Sequence, residues 1–451
     1  MGVWGYGSHL PLRVFVVKKE VRCWKLSVGS WTFDLSHTPM PTYDHTIFYN
    51  GGIYMSKLIY LDNAATTPVD PDVLNEMMPY FSEQFANPST LYRFGAGARH
   101  AMEQARESLA SLIGASPEEI YFTSGATESD NWAIIGTAQA RQTKGKHIIT
   151  SAIEHHAVLE TCKFLKKTQG FDLTVLPVDK DGLVNPEDVR GAITSQTILI
   201  TIMHSNNEIG VIQPIAEIGA IAREKGVLFH TDATQSIGKV PLDVTELNVD
   251  MLSISGHKFY GPKGVGALYI RRGTRVTPFM HGGSQEAHKR AGTHNVPGII
   301  GIGKAAEIAK ATMDEEAARE IRLRDKLINS ILTGIPNCKL NGHATKRLPN
   351  NVNISISGSE GESMILMLDA LGICVSSGSA CTSGDLTASH VLLAIGLAHE
   401  VAHASVRMTL GKQTTEEDID KVLEVLPNIV NRLREMSPMY DASCPIDFEN
   451  A

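Results

Sequence analysis

From about residue 118 to 270 the chain alternates short β-prone runs with amphipathic helical patterns, and only a few folds accommodate that alternation. The β-prone runs fall at 118–123, 146–151, 172–177, 197–203, 227–231, 249–254 and 264–270. Between several of them apolar residues recur at helical spacing, as from Pro214 to Lys225. Strands separated by helices pair through crossovers. The expected architecture is therefore α/β, with a seven-stranded, mostly parallel sheet covered by helices on both faces. Helix formers also crowd the interval 95–113.

After about residue 297 the pattern changes. A long helical stretch with Ala305, Ala306, Ile308 and Ala309 leads towards Leu332, and shorter strands are expected near 352–356 and 404–410. A final helix is expected to open at the capping box Thr414-Thr-Glu-Glu417 and run to about 435. At 451 residues the chain exceeds what one core usually fills. The expected division is a large domain over 74–312 and a smaller α+β domain built from 58–73 and 313–451. Residues 1–57 stand apart as an N-terminal extension. Three of the four tryptophans (Trp4, Trp24 and Trp31) lie there, without a clear helical period and without the charged start and continuous apolar region of a secretory signal. Met55 is a natural start for the folded part, which makes the residues before it an upstream extension or the result of a misplaced start codon.

Composition narrows the function classes. A content of 43% hydrophobic and 20% charged residues fits a folded, soluble protein. A net charge of −8 gives no footprint for nucleic acid. No apolar run reaches the ~18 residues of a membrane span. The six cysteines are Cys23, Cys162, Cys338, Cys374, Cys381 and Cys444. They form no Cys-x-x-Cys pair and no zinc-site spacing, so a reducing, cytoplasmic compartment is expected. Walker A and GxGxxG motifs are absent.

The chemistry concentrates where the β-prone runs end, which is where open α/β sheets bind ligands. Met251-Leu-Ser-Ile-Ser-Gly-His-Lys258 ends in a lysine, and Val227-Leu-Phe-His-Thr-Asp232 ends in an aspartate followed by Ala-Thr-Gln235. An amine at one strand end and an acid at another suit pyridoxal phosphate, the amine forming the Schiff base and the carboxylate keeping the pyridine nitrogen protonated. A lone lysine after a buried strand is more often a surface residue, so its companions decide. Phe122-Thr-Ser-Gly-Ala-Thr127-Glu-Ser-Asp-Asn131 opens a helix, and its small residues let backbone N–H groups converge on a phosphate, with Thr127 adding a hydroxyl. An ordinary capped helix start is the competing reading. Ser255 and His257 are placed to reach the same phosphate.

Two further strand ends and one strand interior add polar groups. Ser151-Ala-Ile-Glu-His155-His156 offers an imidazole that can stack on a flat ring and shuttle protons. His204-Ser-Asn-Asn207-Glu-Ile-Gly210 offers an amide, in a sequence that also reads as a plain turn. Arg407, inside the apolar pattern Ala404-Ser-Val-Arg-Met-Thr-Leu410, suits bidentate capture of a carboxylate, and equally suits an edge-strand charge. Val375-Ser-Ser-Gly-Ser-Ala-Cys381-Thr-Ser-Gly-Asp385 is small, polar and glycine-rich. It reads as a mobile loop presenting an accessible thiol.

Taken together these motifs carry a resemblance. With Tyr60-Leu-Asp-Asn-Ala-Ala-Thr-Thr-Pro68, Ser124-Gly-Ala-Thr-Glu-Ser129, Asn206-Asn-Glu-Ile-Gly210, Asp232-Ala-Thr-Gln235, Ser255-Gly-His-Lys258-Phe-Tyr-Gly-Pro-Lys-Gly264 and the cysteine loop, the chain from about Leu58 to Met436 resembles the cysteine desulfurases of the IscS/NifS type. Those are pyridoxal-phosphate enzymes of the aspartate-aminotransferase fold (fold type I). The long loop is similar to the group with an extended cysteine loop.

The resemblance implies roles. Lys258 is the Schiff-base lysine, Asp232 the partner of the ring nitrogen, and His155 the stacking histidine. Asn207 and Gln235 bond the ring oxygen. Thr127, Ser255 and His257 bind the phosphate, Ala126 also contacts the cofactor, and Thr293 reaches the phosphate of the neighbouring subunit in a homodimer. Asn87 and Arg407 clamp the substrate carboxylate, and Cys381 is the nucleophile that takes sulfur from L-cysteine. The implied partners are L-cysteine, a second copy of the chain, and an iron–sulfur scaffold or another sulfur acceptor, with no nucleic acid and no membrane. The resemblance implies no resident metal, although it allows transient contact between Cys381 and an iron–sulfur cluster. Departures from the pattern lie in Ser284 of His281-Gly-Gly-Ser-Gln-Glu286, in Leu386-Thr-Ala-Ser-His390 and in the tail after Ser437. They leave the chemistry intact and the acceptor open. Two alternatives stay in view. Another lyase or aminotransferase would not need Cys381, and a catalytically silent scaffold would be expected to lack Lys258.

Overall fold

The seven β-prone runs form one sheet. They are β1 (Ile120–Thr123), β2 (His147–Ser151), β3 (Asp172–Leu176), β4 (Thr197–Thr201), β5 (Leu228–Asp232), β6 (Met251–Ser255) and β7 (Gly266–Ile270). The computed structural model describes residues 57–377, 388–437 and 440, together with the strands Lys25–Val28, Trp31–Asp34, Phe48–Tyr49 and Gly52–Ile53. The strand order is β1-β7-β6-β5-β4-β2-β3. β7 pairs antiparallel with both β6 and β1, while the β6-β5, β5-β4, β4-β2 and β2-β3 pairs are parallel. Strands covered on both faces read as continuous apolar runs, and every residue of β2, β4, β5, β6 and β7 is buried. Only β3, at an edge, is largely open.

Helices cover the sheet as the periodicity requires. α1 (Arg93–Leu112) and α2 (Ala126–Arg141) flank β1 in sequence, α3 (His156–Gln169) follows β2, and α4 (Ile215–Lys225) precedes β5. α1 contributes Ala98, Met102, Ala105 and Leu109 to the main core, where they meet Ile299, Ile302 and Ala306 of α5 (Val296–Gly334).

α5 runs for 39 residues, about 58 Å of unbroken helix. Its first half belongs to the sheet core, and its second half, with Leu323, Leu327 and Ile331, belongs to another. The boundary expected at 312 and 313 falls inside this helix, between its two core-facing halves. The second core packs against an antiparallel sheet of β8 (Cys338–Leu340), β9 (Asn351–Ile356) and β10 (Ser405–Thr409). It also takes in Ile59 and Leu61 from the other end of the sequence.

The last helix, α6 (Glu416–Met436), corrects one expectation. Its capping box is Thr415 with Asp418, one residue later than the sequence pattern suggested. The reason is that the Thr414 hydroxyl is already engaged, accepting from the Gly411 N–H at 3.0 Å. By contacts the chain separates into Met1–Lys57 and Leu58–Ala451. In the first unit Lys25–Val28 pairs antiparallel with Trp31–Asp34, and Phe48–Tyr49 with Gly52–Ile53, pairings that the sequence reading did not anticipate. Among the described residues no helix is long and apolar enough to cross a membrane.

Candidate active site

The carboxyl ends of β1, β2, β4, β5 and β6 meet at one cavity of about 610 Å³. At the β1 end, Ser124 and Gly125 turn directly into α2. Gly125 has φ +154°, and β7 places Gly266 against it, where a Cβ would stand 2.7 Å from the Gly125 Cα. The bare backbone at both positions lets the turn settle on the sheet. No side chain caps this helix start, so its positive end and the N–H groups of its first turn are directed at the cavity. Thr127, Ser255 and His257 line the same region. Burial and the nearby Lys258, Lys263 and Lys239 charges push His257 down to about 4, so it is neutral near pH 7.

Lys258 follows β6 in a single turn of 3-10 helix, Gly256–Lys258. Its Nζ donates to the carbonyls of Ala64 at 2.6 Å and Ala65 at 2.7 Å. Gln235 Nε2 donates to the same Ala64 carbonyl at 3.0 Å. Asp232 ends β5 and is buried, its Oδ1 accepting from the Thr234 N–H at 2.9 Å. His155 caps α3, with Nδ1 accepting from the Ala157 N–H at 3.1 Å. That bond leaves the imidazole proton on Nε2, and burial lowers its affinity for a second proton.

Two acids behind this wall were given no role from sequence, although Glu154 stands in the motif Glu154-His155 that contributes to the resemblance. Glu154 is fully buried, accepts from Ser151 Oγ and the Met203 N–H, and is raised by burial to about 8. Asp130 is raised well above its ordinary value by burial and by Asp232. Glu154 is therefore mostly protonated near pH 7 and adds little charge beside Asp232. Sequence reasoning also missed Ala64 to Thr66 as cavity wall: they stand in the motif Tyr60–Pro68, but a backbone carbonyl accepting from an amine almost 200 residues away is not marked by residue type.

Arg407 lines the cavity from β10 and is buried. Its Nη2 pairs with Asp62 at 2.8 Å and its Nη1 donates to the Asn207 carbonyl at 3.1 Å, while Nε is buried with no hydrogen-bond partner. Ala126, Asn207 and Gln235 line the cavity as expected. Asn87 and Thr293 do not, and both are exposed. Asn87 caps its own turn, accepting from the Ser89 N–H. Cys381 lies outside the described residues.

The chain matches the class-V aminotransferase family over residues 59–422. It is 57% identical to a cysteine desulfurase IscS of Methanosarcina thermophila over 384 residues, 85% of this chain and 95% of that one. It is 54% identical to a cysteine desulfurase IscS of Clostridium botulinum strain Hall over 389 residues, covering 86% and 98%. The chain belongs to the class-V aminotransferases, among the cysteine desulfurases. Among solved structures, a NifS-like protein superposes with a TM-score of 0.78 at 40% identity, over 83% of this chain and all of the other. SspA, solved in complex with cysteine, superposes with a TM-score of 0.69 at 41% identity, covering 78% and 98%.

Cysteine desulfurases of this class use pyridoxal phosphate, and the cavity fits it. An uncapped helix start with bare glycine backbone suits the phosphate, and a buried acid facing a lysine across the cavity suits the ring nitrogen and the carbonyl carbon.

One neighbouring turn secures the cradle. Glu286, Ala287 and His288 hold φ of 44°, 51° and 67°, a left-handed run without glycine that costs about 1–3 kcal/mol per residue. The buried Glu286 carboxylate keeps it in place, accepting from Arg106 at 2.8 and 3.0 Å, from His294 Nε2 at 2.7 Å and from the Phe122 N–H on β1 at 2.9 Å. Burial alone would raise Glu286, but these bonds and the Arg106 charge hold it at about 2. An acid depressed in the folded state stabilises above its unfolded pKa of ~4.3 and loses that contribution as pH falls towards the folded value. Glu286→Gln is therefore expected to cost on the order of 3 kcal/mol at pH 7. Urea unfolding of both proteins at pH 7 and pH 3 should show the gap narrowing at the lower pH. An unchanged gap would mean that the charge is not what stabilises the turn.

Proposed function

We propose that this cysteine desulfurase transfers sulfur from L-cysteine to Cys381, releasing L-alanine, with Lys258, Asp232 and His155 acting at the cofactor. The observation that carries the assignment is the convergence of these three residues and the uncapped start of α2 on one cavity. Pyridoxal phosphate, when bound, supplies an electron sink for the bonds at the substrate's Cα and Cβ. Thr127, Ser255, His257 and the N–H groups around Ala126 would hold its phosphate, Asp232 would keep the ring nitrogen protonated, and Asn207 and Gln235 would bond the ring oxygen.

Lys258 takes the proton from Cα as general base. His155, neutral and with its proton on Nε2, moves protons between substrate and ring. Arg407 receives the substrate carboxylate, with its unpartnered Nε as a ready donor. The Cys381 thiolate then bonds to the substrate sulfur as the Cβ–S bond breaks. The electron pair of that bond stays on the carbon side, where protonation completes alanine. Cysteine and an enzyme thiol become alanine and an enzyme persulfide, so no external oxidant or reductant is consumed. The persulfide passes to an acceptor protein such as an iron–sulfur scaffold, in the cytoplasm. Release of alanine and sulfide from cysteine by the purified yellow protein tests the reaction, and failure to release alanine would refute it.

The working unit in this proposal is a homodimer. Thr293 and Asn87 lie outside their own cavity, and Phe81, Phe85, Leu91, Tyr92 and Phe94 are exposed, Leu91 fully. A run of large apolar side chains in solvent is what a covering partner removes from water. Sedimentation is expected to give twice the chain mass of 49.0 kDa. A mixed dimer of a Lys258→Ala chain and a Thr293→Ala chain should keep about half of the wild-type activity, because both defects then fall in one site. Activity well below that, with each chain spoiling its own site, would place Thr293 in its own cavity.

A further inference from the structure

Beneath the active-site wall lies a second ammonium that the mechanism does not use. The segment after Asp232 closes in a tight turn at Gly238, with φ +68°, where a Cβ would press to 3.0 Å on Phe259 and 3.2 Å on Ala309. The next residue, Lys239, is only 8% exposed. Its Nζ donates to the backbone carbonyl of Lys258 at 2.9 Å and to that of Gln235 at 3.1 Å. These are the two residues whose side chains share the Ala64 carbonyl on the cavity side. One amine thus grips from behind the backbone of both.

We propose that Lys239 is a positioning residue for Lys258, fixing its backbone from the far side of the wall and placing a second positive charge next to the catalytic amine. This inference rests on the reading of Lys258 as that amine.

The surroundings of Lys239 support the role. It lines a small internal cavity with Lys258, Tyr260, Glu316, Glu320 and Lys412. Glu320, from the middle of α5, is buried and is the acid that most favours the charged form of Lys239. Lys258 opposes that form, which records the repulsion between the two amines. His257 feels the Lys239 charge as well. Burial lowers the Lys239 ammonium and raises the Glu320 carboxyl, and the two backbone carbonyls hold the amine in place. A buried amine kept at such cost, with both named bonds to backbone of the active site, is better explained by what it holds than by packing. A cationic neighbour also makes an amine easier to deprotonate.

The test uses the full-length holoenzyme. Lys239→Met removes charge and donors, and Lys239→Arg keeps the charge but moves the donors. For Lys239→Met we expect bound cofactor to be retained and kcat to fall about tenfold to a hundredfold, with little change in KM for cysteine. The pH midpoint of the bound cofactor's visible absorption band should move up by about one unit. For Lys239→Arg we expect a lowered kcat with the midpoint unchanged. Wild-type kcat and midpoint in Lys239→Met would overturn the proposal. If that variant does not fold, wild-type kcat in Lys239→Arg would do so. Failure of the underlying reading looks different: Lys258→Ala would then keep turnover, whereas failure of the Lys239 role leaves Lys258→Ala inactive and Lys239→Met active.

Discussion

Lys258→Ala is expected to stop alanine release from L-cysteine, by a factor of roughly 10²–10⁴ or more, while the chain stays folded. Its Nζ donates to the carbonyls of Ala64 and Ala65 at the cavity wall and the residue belongs to neither hydrophobic core, so its loss is expected to leave the sheet and both cores in place. Borohydride reduction should attach the cofactor to the wild-type chain and not to the variant, and circular dichroism should be unchanged. A variant that still released alanine at the wild-type rate would remove Lys258 from the chemistry.

A second large effect belongs to the sulfur half of the reaction. Cys381→Ser should keep its cofactor and its colour change with cysteine, but lose alanine release by about 1,000-fold or more, the scale on which loss of a nucleophile acts. A hydroxyl is a far weaker nucleophile towards sulfur than a thiolate. Cys374→Ser is the control. That thiol sits in the short strand Ile373–Cys374, paired with Ile59–Tyr60, and burial raises its pKa. Mass mapping after incubation with labelled cysteine should place the extra sulfur on Cys381 alone. Persulfide on Cys374, or undiminished turnover in Cys381→Ser, would reassign the nucleophile.

The place of the cavity was legible in the sequence because parallel α/β sheets expose polar side chains at their strand ends, whereas the roles of its residues rest largely on the family resemblance. Thr127, His155, Asn207, Asp232, Ser255 and Lys258 each follow a β-prone run by a few residues, and the sheet brings those ends together by geometry alone. What escaped notice depends on tertiary closure. Nothing around Ala64 predicts that its carbonyl will meet an amine 194 residues later. Lys239 looks like a surface lysine until the turn at Gly238 buries it. The capping box slipped by one residue because two adjacent threonines compete, and a loop contact claims the first. Asp62, paired with Arg407, was invisible for the same reason as Ala64.

The placement of Ala64 also bears on how the enzyme is made. Its N–H donates to Thr409 Oγ1 at 2.8 Å across 345 residues, and the Thr409 N–H in turn donates to the Leu61 carbonyl at 2.7 Å. The ribosome therefore delivers the lysine, the aspartate and the phosphate turn well before the strand that seats the carbonyl opposite them. At usual rates of translation the gap between residues 258 and 409 lasts about 8 to 30 seconds. During that time a nascent chain carries the whole cofactor-facing set with its lysine not yet anchored. The seat of the amine is thus completed only after residue 409 has been made, and a message truncated shortly before codon 409 yields a protein that has every one of those residues without the bond that places Ala64.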